Sequence, residues 1–239
     1  MRWLKLFIIV ALFSSLVYAV KQIVPIKHVR VEGAFQYISK DEIQTTLIPL
    51  VNVGFFDADI QAIHDTLMQM IWVEGVSVKR VWSDTIAIKI KEKQPIVRWG
   101  DEALLSTRGE VIKPEDITPF ENLPILRGVQ GQEIKSLEIM KGVNTALADQ
   151  EMSMAEFSIN NRWAWKIKLT TGLEILLGRT EQLKKLQRFI KTIDVLGREP
   201  INAMAIVDLR YPNGYAVSWK TNMSPINWNN LAAMQATKR

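Results

Sequence analysis

Residues 6–20, LFIIVALFSSLVYAV, run through fifteen positions without one charged side chain. No other stretch constrains the chain as strongly. A helix that crosses a bilayer needs about 20 apolar residues. Lys5 and Lys21 flank the run, and their long stems can snorkel to either surface, so residues 3–24 can serve as the span. Trp3 and Tyr18 suit the two membrane–water interfaces. A cleaved signal peptide has a similar charged start and short apolar centre, but it ends in small residues of A-x-A type. Here only Val17-Tyr18-Ala19 comes near that pattern, and poorly. The sequence therefore predicts an uncleaved signal anchor. Basic residues lie on both sides (Arg2 and Lys5 before, Lys21, Lys27 and Arg30 after), so charge bias does not set the orientation. The very short leading segment favours an N-in, C-out, single-pass type II topology with the bulk translocated.

The remainder is rich enough in apolar residues to fold. Of 239 residues, 48% are hydrophobic, enough for one large or two small domains. The net charge of +5 is modest, and its basic residues are interleaved with acids, as in Lys89, Lys91, Glu92 and Lys93. That is not the profile of a dedicated nucleic-acid binder. The absence of cysteine excludes disulfides, thiolate zinc sites and cysteine nucleophiles. His28 and His64 are too few and too isolated to suggest a metal site.

Hydrophobic periodicity divides the body in two. Residues 26–32 alternate as a strand that Gly33 ends. Ser39-Lys40-Asp41-Glu42 reads as a capping box opening a helix with Ile43, Leu47 and Ile48 inward and Pro49 following. Asp57 or Asp59 caps a second helix whose apolar face is Ile60, Ile63, Leu67, Met70 and Ile71. Strands are expected at 76–82 and 85–92, where Ile86, Ile88 and Ile90 alternate with Ala87, Lys89 and Lys91. The two-helix crossover is long enough to set strands one and three side by side. Pro95 marks a junction. Beyond it the pattern predicts strands at 96–99, 103–106, 154–159, 163–170, 173–177, 205–210 and 215–219. Helices are predicted at 133–148, with Ile134, Leu137, Met140, Val143 and Leu147 inward, and at 180–196, striped by Leu183, Leu186, Phe189, Ile190 and Ile193. Residues 113–131 read as irregular. The expected domains are 1–24 (short start and anchor), 25–94, 95–220, and a flexible tail at 221–239.

Chemistry is scarce. Gly172 to Thr180, GLEILLGRT, is a faint likeness of a phosphate loop, but its glycines are one residue too far apart and Arg179 stands where lysine is required. There is no G-x-S-x-G elbow. Asp57 and Asp59 are explained by the positive end of a helix dipole. Two carboxylates can make a glycosidase, yet nothing singles out a pair. No catalytic residue, cofactor, metal or small-molecule substrate is expected. Among eight tryptophans, Trp72 and Trp82 read as core of the first domain, and Trp99 as a residue at its junction. Trp163 and Trp165 share a strand face by period two. For Trp163 and Trp219, beside arginines near strand ends, core packing and contact with a partner stand as open alternatives.

Three stretches resemble one family. Residues 71–101, IWVEGVSVKRVWSDTIAIKIKEKQPIVRWGD, carry W-V-x-x-V-S-V-x-R-x-W-x-D, K-E-x-x-P-I and R-W-x-D. Residues 206–219, IVDLRYPNGYAVSW, carry D-L-R-Y-x-x-G-x-A-V-x-W. Residues 176–189, LLGRTEQLKKLQRF, carry a G-R helix start. In this order, behind one anchor, they resemble the FtsQ/DivIB cell-division family over most of residues 21–220. The resemblance implies an α+β fold: a transmembrane helix, a POTRA domain (β-α-α-β-β), then a β-rich domain with helices on a mostly antiparallel sheet. It implies a non-enzymatic divisome scaffold in the cell inner membrane at the division site, with its bulk in the periplasm. It also implies that FtsB and FtsL are bound, that early and late division proteins are connected, and that the POTRA domain is a candidate surface for other division proteins. The partner-binding residues carried over are Arg162, Arg210, Tyr211, Gly214, Tyr215, Val217 and Trp219. An exposed last strand offers unpaired backbone groups for an added partner strand. Arginines at 162 and 210 could grip partner carboxylates bidentately, and Tyr211 and Trp219 would add apolar contact. Alternatively, Arg210 and Tyr211 simply close a hairpin.

The sequence departs from the family in its short start, which puts cytoplasmic contacts in doubt, in the Pro212-Asn213 loop, and in Trp163 beside Arg162. A POTRA-bearing envelope transport or chaperone component is the alternative function, and it would lead into a membrane barrel or tandem POTRA units. An envelope enzyme such as a wall hydrolase is the third possibility.

Overall fold

The computed structural model describes Trp3, Phe7, Val10, Ala11 and residues 25–196, 199–212 and 214–221, leaving aside the side chains of 195, 196, 199 and 200. Trp3, Phe7, Val10 and Ala11 are helical. The rest of the expected anchor, and the expected tail from 222 onward, lie outside the described residues. Among the described residues no helix is long and apolar enough to cross a membrane. The chain forms two compact units, residues 1–94 and 95–239.

The first unit holds β1 (His28–Glu32), α1 (Lys40–Val51), α2 (Ile60–Met68), β2 (Val73–Val81) and β3 (Thr85–Glu92). Its sheet order is β1-β3-β2, with β1 parallel to β3 and β2 antiparallel to it. Alternation along β3 buries Ile86, Ile88 and Ile90 while exposing Lys89 and Lys91. Ile43, Leu47, Phe55, Ile63, Leu67 and Val73 complete that core. Ser39 Oγ accepts from Glu42 N at 3.0 Å, so the expected cap opens α1. Asp59 Oδ1 accepts from Gln61 N and Ala62 N at 2.9 and 3.0 Å, so Asp59 rather than Asp57 opens α2. Pro49 lies inside α1 rather than after it. Near a helix end its missing N–H costs one bond without breaking the helix. Ile48 and Ile71 are exposed, contrary to expectation, and so is Trp82. Trp72 instead stacks on Tyr37 with centroids 4.5 Å apart.

Glu92 ends β3 on the buried face at 4% exposure. Its carboxylate accepts from Gln36 N (2.8 Å), Tyr37 N (3.1 Å) and Ile38 N (2.8 Å). One carboxylate thus satisfies three donors of the loop that leads into α1, which is what makes its burial tolerable.

The second unit holds β4 (Pro95–Trp99), β5 (Ala103–Ser106), β6 (Val111–Ile112), β7 (Ile125–Arg127), α3 (Glu133–Ala148), β8 (Met154–Ile159), β9 (Trp165–Leu169), β10 (Glu174–Gly178), α4 (Gln182–Leu196), α5 (Glu199–Ala203), β11 (Met204–Asp208) and β12 (Ala216–Trp219). They form one nine-stranded sheet in the order β12-β11-β10-β9-β8-β7-β4-β5-β6. The pairings β10–β11, β4–β7 and β7–β8 are parallel and the others antiparallel. Leu137, Met140, Val143 and Leu147 of α3 and Leu186, Phe189 and Ile193 of α4 share one core with Leu126, Phe157, Ile167, Ile175 and Val207 of the sheet.

Here the sequence misleads in identifiable places. Residues 113–131 are not wholly irregular, because β7 lies mid-sheet between β4 and β8. Three residues between Pro124 and Gly128 are too few to display a period. Ile134 is 59% exposed and Ser136 is buried in its place. Leu183 is exposed while Lys185 on the same helix is buried to 8%. Trp163 precedes β9, in a turn at φ 61°, so it shares no strand face with Trp165.

Candidate functional site

The antiparallel partner of β12 is β11, in the register Asp208↔Ala216, Val207↔Val217, Ile206↔Ser218. Among the described residues β12 has no second neighbour, so it forms one edge of the nine-stranded sheet. Lys220 N donates to Ala203 O at 2.9 Å. Backbone direction alternates along a strand. The N–H of Ser218 therefore turns toward β11 and that of Val217 toward the open side. The side chains alternate as well. Tyr215, Val217 and Trp219 are half-buried against the core, and Ala216 and Ser218 are exposed. Tyr215 also meets Phe189 edge-on at 5.9 Å.

The turn before this strand is built by charge. Asp208 Oδ1 accepts from Arg210 N (3.0 Å) and Nε (2.8 Å), and Oδ2 from Nη2 (2.6 Å). The Arg210 hydrogen bond is the leading cause that holds the Asp208 carboxyl below the ordinary carboxylate range, against burial, which pushes it up. The Arg210 guanidinium is correspondingly raised by Asp208. Behind the turn stands α4. Lys185 Nζ donates to Arg210 O at 3.4 Å, and Arg188 donates to Pro212 O at 2.8 Å and to Tyr211 O at 3.4 Å. Tyr211 is left 55% exposed on top. Gly178 at the end of β10 has φ 73°, and a Cβ there would come within 3.2 Å of Arg210 Cγ. Gly214 has open space around it and no such constraint.

Arg162 lies elsewhere on the same rim. Asn160 Oδ1 accepts from Arg162 N (2.9 Å) and Ala164 N (3.0 Å), closing the turn between β8 and β9 and leaving Arg162 exposed. Lys135 Nζ sits 4.2 Å above the Trp163 ring. The start of β9, the end of β10, the end of β11 and the start of β12 are in register: Trp165↔Gly178, Leu176↔Asp208, Asp208↔Ala216. All seven sequence-selected residues belong to this end of the sheet or to β12. Arg162 is not on a strand beside β12; three interstrand steps, about 14 Å, separate its turn from that strand.

Two differences from expectation matter. Arg210 already forks onto Asp208, so a partner carboxylate would meet its remaining donors or compete for it. Trp219 and Val217 face the core more than the open side, so Tyr211 is the most exposed apolar group of the set. Sequence reading missed Lys185 and Arg188, which look like solvent-face residues of an amphipathic helix. The signal available was their spacing of three, which puts them on one side of α4. Among the described residues no group of three or more His, Asp or Glu is placed to hold a metal ion.

The comparisons with known proteins cover both units. The family model "Cell division protein FtsQ/DivIB, C-terminal" matches residues 97–210, and "POTRA domain, FtsQ-type" matches residues 24–93. The chain is 51% identical over 208 residues to the cell division protein FtsQ of Methylomonas methanica, covering 87% of this chain and 84% of that one. It is 31% identical over 195 residues to that of Cellvibrio japonicus, covering 82% of this chain and 61% of that one. Against that of Coxiella burnetii it is 29% identical over 196 residues, with 82% and 81% covered.

Proposed function

The chain belongs to the FtsQ/DivIB family of cell-division proteins, and on that footing we propose that it is a divisome scaffold that binds the FtsB–FtsL pair along β12. In this reading residues 6–20 anchor it once in the inner membrane, the two units lie in the periplasm, and early and late division proteins are connected through them without catalysis. The expected domain limits, 25–94 and 95–220, are kept as part of the proposal.

The observation that carries the reading is the side of β12 that no strand covers among the described residues, beside a turn held in shape by Asp208, Lys185 and Arg188. An incoming strand gains backbone hydrogen bonds along the edge, including one at Val217. Tyr211 gives it an aromatic contact, and Arg162 and Arg210 favour acidic side chains. Titration of the full chain in nanodiscs with purified FtsB–FtsL tests it. Tyr211→Ala is expected to weaken binding by about 2 kcal/mol, and Arg210→Glu to weaken it and flatten its salt dependence. The melting temperature of Tyr211→Ala should hold, because that side chain is exposed, whereas Arg210→Glu, which sets a second carboxylate beside Asp208, should lower it slightly. Unchanged affinity in both variants would place the binding site elsewhere.

A further inference from the structure

Trp82 is 77% exposed at the tip of the β2–β3 hairpin. It is not isolated. Its ring lies 6.3 Å from that of Phe55 and 6.1 Å from that of Phe56, and Val53 and Val81 are exposed nearby in the chain, at 43% and 42%. Arg80 ties the two segments together by donating to Phe55 O (3.2 Å) and Phe56 O (3.4 Å).

Topology fixes what this tip stands next to. Because β1 runs parallel to β3, the start of β1 lies beside the start of β3, in the register His28↔Thr85. Lys27 N and His28 N both donate to Asp84 O, at 2.9 and 3.3 Å, and Pro25 bridges to Gly54. The aromatic tip and the point where the chain enters the unit therefore share one end. Only five chain steps separate Pro25 from Val20, the last residue of the uncharged run. Fully extended they span at most about 18 Å.

This inference rests on the reading of residues 6–20 as a membrane anchor. We propose that Trp82, with Phe56 and Val81, seats in the headgroup–acyl boundary of the membrane that holds those residues, so that the first unit stands on the bilayer by its hairpin tip. Tryptophan is suited to that boundary because its ring is apolar and its N–H still finds a polar partner. Charge does not drive the contact. Lys27, Arg30, Lys79 and Arg80 at this end stand against Asp57, Asp59 and Asp84, an excess of one positive charge, so the aromatic and aliphatic groups supply most of the attraction and anionic lipid is not required. The consequence is mechanical: a unit gripped at two points, the anchor and the tip, cannot swing freely about the short link.

The chain contains no cysteine, so single cysteines report without background. Full-length protein is reconstituted in phosphatidylcholine liposomes with an environment-sensitive fluorophore at Ser83→Cys, Val10→Cys or Gln69→Cys. A lipid spin-labelled near the top of its acyl chain is then included. Gln69 ends α2 at the far end of the unit, about 23 Å away along the length of β3. The expected result is strong quenching at positions 83 and 10 and little at 69. Adding Trp82→Asp to the Ser83→Cys protein should abolish quenching at 83 without lowering the melting temperature, since Trp82 is exposed. A bright probe at 83 with a quenched probe at 10 overturns the tip contact and leaves the anchor standing. A bright probe at 10 overturns the anchor and the tip contact with it. Equal quenching at 83 and 69, or emission at 83 that responds only to an added division-protein partner, also overturns the proposal.

Discussion

Each unit uses a carboxylate to hold a loop against its sheet, but Glu92 and Asp208 do so in opposite settings. Glu92 is buried and spends both oxygens on three backbone N–H groups of residues 36–38. Asp208 lies nearer the surface, its side chain 13% exposed and that of its partner Arg210 61% exposed. A buried carboxylate with backbone partners has no alternative once its loop moves, because water cannot replace the lost bonds. A surface pair can open, exchange partners and close again at little cost. The first arrangement suits a fixed element of the fold. The second suits the surface proposed to receive another chain.

The sharpest way to break the comparison is Glu92→Ala. Three buried donors lose their acceptor together, and the first unit should lose roughly 3 kcal/mol or more, read by chemical denaturation. Glu92→Gln should recover part of the loss, because its amide oxygen still accepts. An unchanged midpoint in Glu92→Ala would show that the loop does not depend on it. In the second unit the corresponding change is smaller. Gly178→Ala puts a side chain at a positive φ and crowds Arg210, so a loss of about 1–2 kcal/mol is expected, together with weaker partner binding. Gly214→Ala, with open space around the glycine, is the matched control for stability and should leave the midpoint untouched. The smallest effect is the pH response of the surface pair. The folded carboxyl of Asp208 is held below its unfolded value of about 3.9. The stabilisation it contributes is therefore present above that pH and fades as pH falls through the folded value. Asp208→Asn should flatten this part of an acid titration only slightly, since Arg210 is screened by water. A large difference from wild type would mean that the pair is structural after all.

The parts legible in the sequence were those with strong local patterns. The strict alternation of 85–92, the cap at Ser39 and the sixteen-residue helix α3 were all readable without a fold. So was the order strand, helix, helix, strand, strand. The failures share a cause. β7 is a strand only because β4 and β8 flank it, and Ser136 and Lys185 are buried only because of what packs above them. Trp82 was read as core by residue type, whereas its position at a hairpin tip decides its exposure. At the candidate site the motif D-L-R-Y falls on the turn between β11 and β12. That Asp208 engages Arg210, and that α4 supports the loop from behind, needed three-dimensional contacts with no local pattern to announce them.

The central claim is that the open side of β12 takes up a partner strand. Amide hydrogen exchange of the full chain in nanodiscs, with and without FtsB–FtsL, reads that edge directly. The Val217 amide, which turns away from β11, should exchange readily in the free protein and become protected in the complex. Exchange at Val217 that stays fast in a saturated complex, with new protection only elsewhere, would contradict strand addition at β12.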